Sequence, residues 1–482
     1  MSDNVLAIDA GTTNVLAMIL GADGRVLGRA VTKYELHYPA PGLVEQDPEE
    51  LWSTTAGTVS EALKKAGLAA SDLGAVGITG QRSTIIIWEK GSGKTLGPAI
   101  SWQDQRGTQR ASELAAQGFP VNQTTAASKL ESAIDNIADG RERVGKGELA
   151  FGNVDSFLAW RLSGGRVHAT DCSQACTTGY YDFFAQTRND KLIELQGLDP
   201  SLFPDIADTS SIIGATSARS FGAEVPIGAI VGDQQSAVYG QGCLKPGEGK
   251  VTFGTSGTGN VNTGPDLKLA AGTYPLILWR RDGELTWCIE GMVITAGAVF
   301  DWLANRLGIM DDVTQAAEMA GSVQDSHGVY FLPALQGLGS PHNQPEKHGT
   351  IAGLTLGASD AHIVRAAMEG VAFRVREMLD SVYTGADLPE PESLRVDGGA
   401  SANDVLMQIL ANALGRPVER MNPIEATAFG AALLAGEACG VWEPWSTSGM
   451  HLIDRVFEPE WNEEEREEKF DAWRKALYPE LD

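Results

Sequence analysis

The 482-residue sequence predicts an α/β fold in two domains, and three observations carry that prediction. Strand-like apolar runs alternate with helical ones; two Gly/Thr turns, each entered from a strand, lie about half a chain apart; and the length exceeds what one hydrophobic core ordinarily supports. Hydrophobic residues make up 43% of the chain and charged residues 21%, an ordinary globular composition that excludes disorder as the main state.

Taken in order, residues 5–8 form an apolar strand that delivers Asp9 into the turn Gly11-Thr12-Thr13. Gly11 lets the backbone approach a ligand, and the two hydroxyls with free backbone N–H groups can grip phosphate oxygens, while Asp9 can hold a Mg²⁺ that screens them. A plain strand and hairpin could be written the same way, and this segment alone leaves both readings open. Residues 16–20 and 25–31 read as further strands, residues 48–65 as a helix, and residues 75–79 as a buried strand ending at Gly80-Gln81-Arg82-Ser83. The second turn, Lys250-Val-Thr-Phe253-Gly254-Thr255-Ser256-Gly257-Thr258-Gly259, repeats the first design at the spacing a duplicated domain would give.

Cys243-Leu-Lys-Pro-Gly-Glu-Gly249 breaks regular structure, which predicts a boundary with domains at residues 1–245 and 246–482. Residues 458–475 read as a terminal amphipathic helix. Gly91-Ser-Gly93-Lys94-Thr95 imitates the end of a nucleotide P-loop, but the glycine required upstream is replaced by Trp88, so a hairpin tip with an exposed lysine is expected.

The formal charge of −26 argues against nucleic acid or an anionic membrane as partner, since either calls for a basic face. It also means that a phosphate site must draw its positive charge locally, from Mg²⁺ and backbone N–H groups. The opening Met-Ser-Asp-Asn lacks a basic export region, and the longest apolar run, residues 426–436, is too short to span a bilayer. A cytoplasmic protein with no membrane partner is expected. Cys172, Cys176, Cys243, Cys288 and Cys439 are odd in number and lack paired metal spacing, so buried free thiols are expected.

Specific blocks then point to a family. The apolar-Asp9-x-Gly-Thr-Thr order resembles the first phosphate loop of the actin-like ATPase superfamily. Gly349-Thr-Ile351-Ala-Gly353-Leu354, followed after seven residues by His362-Ile363-Val-Arg-Ala366-Ala367-Met368-Glu369, resembles the second signature of the FGGY carbohydrate kinases at every position. Tyr38-Pro-Ala-Pro-Gly42-Leu-Val-Glu45-Gln-Asp47-Pro48, Gly77-Ile-Thr-Gly-Gln81-Arg82, Gly232-Asp233-Gln234-Gln235, Gly337-Leu-Gly339-Ser-Pro341 and Leu394-Arg-Val-Asp397-Gly398-Gly399-Ala400 resemble the glycerol-kinase branch of that family.

The resemblance implies two actin-like (ribonuclease H-like) α/β domains flanking a nucleotide cleft, and transfer of the ATP γ-phosphoryl group to a primary hydroxyl of a polyol or sugar. It implies Asp233 as the base that takes the hydroxyl proton. A strand-to-helix aspartate also serves as a helix N-cap, so the residue type alone does not decide. For the nucleotide it implies Thr12 and Thr13 at the γ-phosphate, Gly254 and Thr255 on the second loop, Gly297 in Thr295-Ala-Gly-Ala298, and Gly399 with Asn403 beside adenine. Asp9 is assigned to Mg²⁺ through water. Arg82, Ser83, Trp102 and Gln234 join Asp233 at the substrate. A homodimer or larger homo-oligomer is also implied.

Departures from the pattern concentrate at the substrate. Glycerol kinases carry a glutamate where this chain has Ser83, a Pro-Tyr pair where it has Gln123-Thr124, and a tryptophan where it has Ser132, although the lysine is kept as Lys129. Losing a carboxylate and an aromatic enlarges the pocket and removes a hydroxyl-reading contact, which favours four- or five-carbon polyols or ketoses over glycerol. Ser217-Ala-Arg219-Ser-Phe-Gly-Ala-Glu-Val-Pro226 matches poorly the loop that binds a sugar bisphosphate inhibitor in some relatives, so such regulation is not expected. A ketose kinase of the xylulose or ribulose type, and an actin-like ATPase switch without kinase activity, are the alternative readings.

Overall fold

A computed structural model of the chain describes residues 2–421, 425–445, 450 and 453–478. It divides into two compact units that interleave along the sequence. The first comprises Met1–Gly240 together with Leu276–Thr286 and Thr427–Met450; the second comprises Gln241–Pro275, Trp287–Ala426 and His451–Asp482. A single cut at residue 245 follows the end of the long first segment but does not account for the two short segments that return to the first unit.

The first unit is built on a six-stranded sheet. Its strands are β1 (Val5–Ala10), β2 (Asn14–Leu20), β3 (Val26–Lys33), β4 (Ala75–Gly80), β5 (Ser210–Ala215) and β6 (Pro226–Gly232), in the spatial order β5-β6-β4-β1-β2-β3. The three central strands β6, β4 and β1 run parallel, with Asp9 opposite Thr79 and Val231 opposite the same Thr79. Parallel strands covered on both faces read as continuous apolar runs, and Val5, Leu6, Ala7 and Ile8 are accordingly all fully buried. Leu6 and Ile8 join one core with Leu51, Val59 and Ala62 of helix Pro48–Ala66 and with Phe157 and Leu158 of helix Val154–Ser163. Helix Ala426–Ala438 closes the other face, where any side chain on Gly77 would strike the Ala431 carbonyl.

Helix boundaries follow local chemistry. Pro48–Ala66 starts at Asp47, whose Oδ1 accepts from the Glu49 N–H (2.8 Å), has proline at its first turn, and ends at Gly67 in the left-handed region (φ 69°). The terminal helix runs Glu463–Leu477, not 458–475: Asn462 Oδ1 accepts from the Glu465 N–H (2.9 Å) and so fixes the start five residues later than the charge pattern suggested. Residues 91–94 close a turn in which the Gly93 N–H donates to the Glu89 carbonyl (2.8 Å), and Lys94 is exposed.

A seven-stranded sheet is made of β7 (Gly249–Phe253), β8 (Gly257–Gly264), β9 (Tyr274–Arg281), β10 (Glu284–Val293), β11 (Leu394–Asp397), β12 (Val418–Met421) and β13 (Ile453–Phe457), in the order β9-β10-β8-β7-β11-β12-β13, and all of it belongs to the second unit except residues 276–286 of the β9–β10 hairpin. It repeats the plan of the first: β7 pairs antiparallel with β8 through a tight turn and parallel with β11. The 26-residue helix Asp360–Gly385 and helix Asp404–Leu414 pack over it. All five cysteines are free thiols, four of them buried. Among the described residues no helix is long and apolar enough to cross a membrane.

One buried carboxyl is costly. Asp155 lies in helix Val154–Ser163 with no exposure, and burial pushes its carboxyl up to about 7 despite the Thr170 hydroxyl donating to it (2.6 Å). Because this value lies above the unfolded one near 3.9, the folded state holds the proton more tightly, so the favourable contribution is complete below about pH 4 and is lost as pH rises through 7. Asp155→Asn is therefore expected to raise the melting temperature at pH 8 and to gain much less at pH 5, with a ceiling on the order of 4 kcal/mol. Scanning calorimetry at the two pH values measures it; an equal change at both would place the cost elsewhere than in ionisation.

Candidate active site

The parallel strands β1, β4 and β6 end at the same edge of the first sheet. Open parallel sheets present ligands at their carboxyl ends, and this edge gathers Asp9 from β1, Gln81-Arg82-Ser83 after β4, and Asp233-Gln234 after β6. Arg82 Nε lies 3.2 Å from Asp233 Oδ1, with both side chains partly buried. The Gln234 N–H donates to the same Oδ1 (2.7 Å) at the start of helix Asp233–Gly240. The carboxylate thus takes both the arginine and a backbone N–H of the first turn of its own helix, and that anchoring is compatible with a role as base.

Asp9 faces Asp233. Burial pushes the Asp9 carboxyl up to about 7, and the negative charge of Asp233 adds to that rise. Its buried Oδ1 has no hydrogen-bond partner among the described residues. A buried carboxylate oxygen left without a donor, next to a second carboxylate, suits a cation. Among the described residues there is no cluster of three or more His, Cys, Asp or Glu side chains that could cage a metal. One or two carboxylates completed by phosphate oxygens and water are what a nucleotide-bound Mg²⁺ uses, so the residues present fit that ion.

A buried amide and hydroxyl network shapes the turn after β1. Gln46 Nε2 donates to the Thr12 carbonyl (2.7 Å), the Tyr34 hydroxyl donates to the Gly11 carbonyl, and Gln81 Nε2 donates to Tyr34 (3.1 Å) and to Gln46 Oε1 (2.9 Å). Thr84 Oγ1 donates to Gln81 Oε1 (2.9 Å) and accepts from the Trp102 N–H (3.2 Å), and the Trp102 indole donates to Thr12 Oγ1 (3.1 Å). Thr13, at the tip, is exposed. With the turn's backbone held from below, its outward N–H groups and the Thr13 hydroxyl are left for a ligand.

Ser83 sits in the left-handed region (φ 60°), uncommon for a side-chain-bearing residue. Its hydroxyl is engaged with Thr177, 2.8 Å from the carbonyl oxygen and 3.1 Å from Oγ1. Lys129 is fully buried, donates to the Ser101 carbonyl (3.0 Å), and is lowered to about 8 mainly by burial. It fastens the backbone that presents Trp102.

In the second unit the turn between β7 and β8 carries Gly254 and Thr255. The Gly297 N–H donates to the Gly254 carbonyl (2.9 Å), and the Ala296 N–H donates to the Thr255 carbonyl (3.0 Å), which docks the start of helix Ala298–Asn305 on the turn. A side chain on Gly297 would overlap that Gly254 carbonyl. Gly399 has open space where a side chain would project. Asn403 Oδ1 caps helix Asp404–Leu414 by accepting from the Leu406 N–H (3.0 Å), leaving its amide N–H groups for another partner.

The first unit therefore brings together Asp9, Thr12, Thr13, Arg82, Ser83, Trp102, Asp233 and Gln234, and the second brings together Gly254, Thr255, Gly297, Gly399 and Asn403. The sequence showed Gln46 and Gln81 within matched blocks but gave them no task, and it gave none to Tyr34, Thr84, Asp171, Ser173, Gln174 or Thr177. An amide or hydroxyl needed by a partner 47 residues away, as Gln81 is by Tyr34, leaves no local pattern.

The model of the FGGY family of carbohydrate kinases, N-terminal domain, matches residues 4–240, and that of the C-terminal domain matches residues 249–439. A glycerol kinase of Aromatoleum aromaticum is 41% identical over 485 residues, covering 98% of each chain. A glycerol kinase of Deinococcus radiodurans is 40% identical over 486 residues, covering 98% of this chain and 96% of that protein. The crystal structure of Plasmodium falciparum glycerol kinase with ADP superposes with a TM-score of 0.92 at 27% identity, covering 99% of this chain and 98% of that one.

Proposed function

The chain belongs to the FGGY family of carbohydrate kinases, and from that premise we propose that it transfers the terminal phosphoryl group of ATP to a primary hydroxyl of a polyol or sugar, with Asp233 as the base. The observation that carries the assignment is the Arg82–Asp233 contact at the carboxyl edge of the parallel strands, with Asp9 opposite. Asp233 accepts the proton of the attacking hydroxyl as the new O–P bond forms and the bond to the departing ADP oxygen breaks. Arg82 holds the Asp233 carboxylate in one orientation, and the Gln234 N–H does the same from the helix side. Asp9 would hold a Mg²⁺, which when bound would neutralise charge on the phosphate oxygens. By the family motifs they match, Thr12 and Thr13 are assigned to the terminal phosphate, Gly254 and Thr255 to phosphate, and Gly297, Gly399 and Asn403 to the nucleoside. Trp102 gives the alcohol an apolar wall.

For the alcohol, the reading is a polyol or ketose longer than glycerol. Ser83 presents no carboxylate, and its hydroxyl is already bound to Thr177, so one hydroxyl-reading contact is absent and space is gained. ADP release with ATP and Mg²⁺ across glycerol, tetritols, pentitols and pentuloses, with product mass determined, tests this. The expected result is a kcat/KM for a four- or five-carbon substrate at least tenfold above glycerol, the scale of one lost polar contact. Glycerol as best substrate would overturn the size assignment alone. No stimulation by any alcohol above basal hydrolysis would overturn the kinase assignment in favour of a nucleotide switch.

A further inference from the structure

Beneath the first-unit site lies a short buried turn to which the chemistry above gives no role. Asp171 ends a strand, residues 172–175 form one turn of helix, and Thr177 follows. Asp171, Ser173 and Gln174 have no exposure. Asp171 Oδ1 accepts from Ser173 Oγ (2.8 Å) and from the Gln174 N–H (2.9 Å), and its Oδ2 accepts from Thr209 Oγ1 (2.6 Å).

This fixed turn reaches the site by two arms. In one, the Gly232 N–H donates to Ser173 Oγ (2.8 Å), gripping the residue immediately before Asp233. In the other, Gln174 Nε2 donates to the Gly80 carbonyl (3.1 Å), just before Gln81-Arg82, and Ser83 Oγ donates to Thr177, which holds Ser83 in its left-handed conformation. Thr177 is itself tied back, its Oγ1 donating to the Gln174 carbonyl (2.9 Å). Hydrogen bonds without competing water hold their geometry, and an N–H orphaned in such surroundings is relieved by movement.

We infer that residues 171–177 set the position of the reacting groups, Ser173 acting as the positioning residue of the base and Gln174 as that of the Arg82–Ser83 arm. The inference rests on Asp233 being the base and on Arg82 and Ser83 facing the alcohol. Each arm then governs a different kinetic constant. Displacing a base by a fraction of an ångström lowers the rate of the chemical step at saturating substrate, whereas displacing the arm that faces the alcohol weakens its binding.

The test measures kcat and the KM for the alcohol in Ser173→Ala and in Gln174→Met, which keeps side-chain length and loses the donor. Ser173→Ala is expected to lower kcat at least tenfold with KM within twofold. Gln174→Met is expected to raise KM at least fivefold with kcat within threefold. General loosening would move both constants in both variants alike, and that result, or changes below twofold in both, would overturn the inference. Should Ser173→Ala not fold, Thr209→Val removes the 2.6 Å bond to Asp171 and carries the same kcat-directed expectation, a fall of at least threefold. Asp233→Asn is measured alongside. If it keeps turnover, the base assignment fails; if it is inactive while Ser173→Ala runs at the full rate, only the positioning role fails.

Discussion

Asp233→Asn is expected to lower kcat by about 10²–10⁴, the range that removal of a general base ordinarily costs, while ATP affinity stays within threefold. The substitution is nearly isosteric and asparagine still offers an oxygen to the Gln234 N–H that the carboxylate now accepts from (2.7 Å), so helix Asp233–Gly240 keeps its start. What is lost is the proton acceptor. Arg82, whose Nε stands 3.2 Å from Oδ1, loses an anionic partner, so a modest rise in KM for the alcohol accompanies the fall in kcat. Steady-state kinetics together with nucleotide titration by calorimetry separates these quantities. Near-normal turnover would remove Asp233 from the base role, and loss of ATP binding would make its role structural.

Gly430→Val is expected to unfold or inactivate the protein although Gly430 touches no ligand. A side chain at this position would overlap the Ser236 carbonyl oxygen and would stand 2.8 Å from the Gly240 nitrogen, both in the helix that begins with Asp233. The two helices meet backbone to backbone here. Ser236 Oγ donates to the Thr427 carbonyl (2.6 Å), and Arg281 Nη1 donates to Tyr239 OH (2.9 Å) and to Glu437 (2.7 Å), so neither helix can slide to make room. Overpacking that the surroundings cannot relieve costs on the order of 3 kcal/mol or more. Thermal melting and soluble yield report it, with Gly430→Ala expected to show a smaller loss in the same direction. A valine variant with wild-type melting temperature and activity would mean that the helices separate more readily than their hydrogen bonds suggest.

The parts of the site legible in the sequence were those whose chemistry is written within a few residues. The strand into Asp9-Ala-Gly11-Thr12-Thr13, its counterpart at Gly254-Thr255, and the strand-to-helix step at Asp233 each pair an apolar run with the residue types that the following turn needs. The substitution at Ser83 was legible as a missing carboxylate. Its left-handed backbone and its bond to Thr177, 94 residues away, were not. Lys129 was noted as a surviving lysine, but its task of gripping the Ser101 carbonyl depends on a fold that buries it fully. The start of the terminal helix was misplaced because a run of acidic residues spreads the helical signal, whereas Asn462 fixes the first turn by one hydrogen bond. The return of residues 276–286 and 427–450 to the first unit could not be read at all. Compactness is a property of which faces meet, and the apolar run in residues 426–436 is equally suited to either core.

That return sets an order on synthesis. Strands β4 and β6 are complete by residue 232, yet the helix that closes over Gly77 and Gly228 spans Ala426–Ala438. Translation at about 5–20 residues per second leaves roughly 10–40 s between the emergence of residue 240 and that of residue 450. Through that interval an apolar sheet face stands uncovered on the ribosome. A chain stopped short of residue 426 would lack the helix that closes that face.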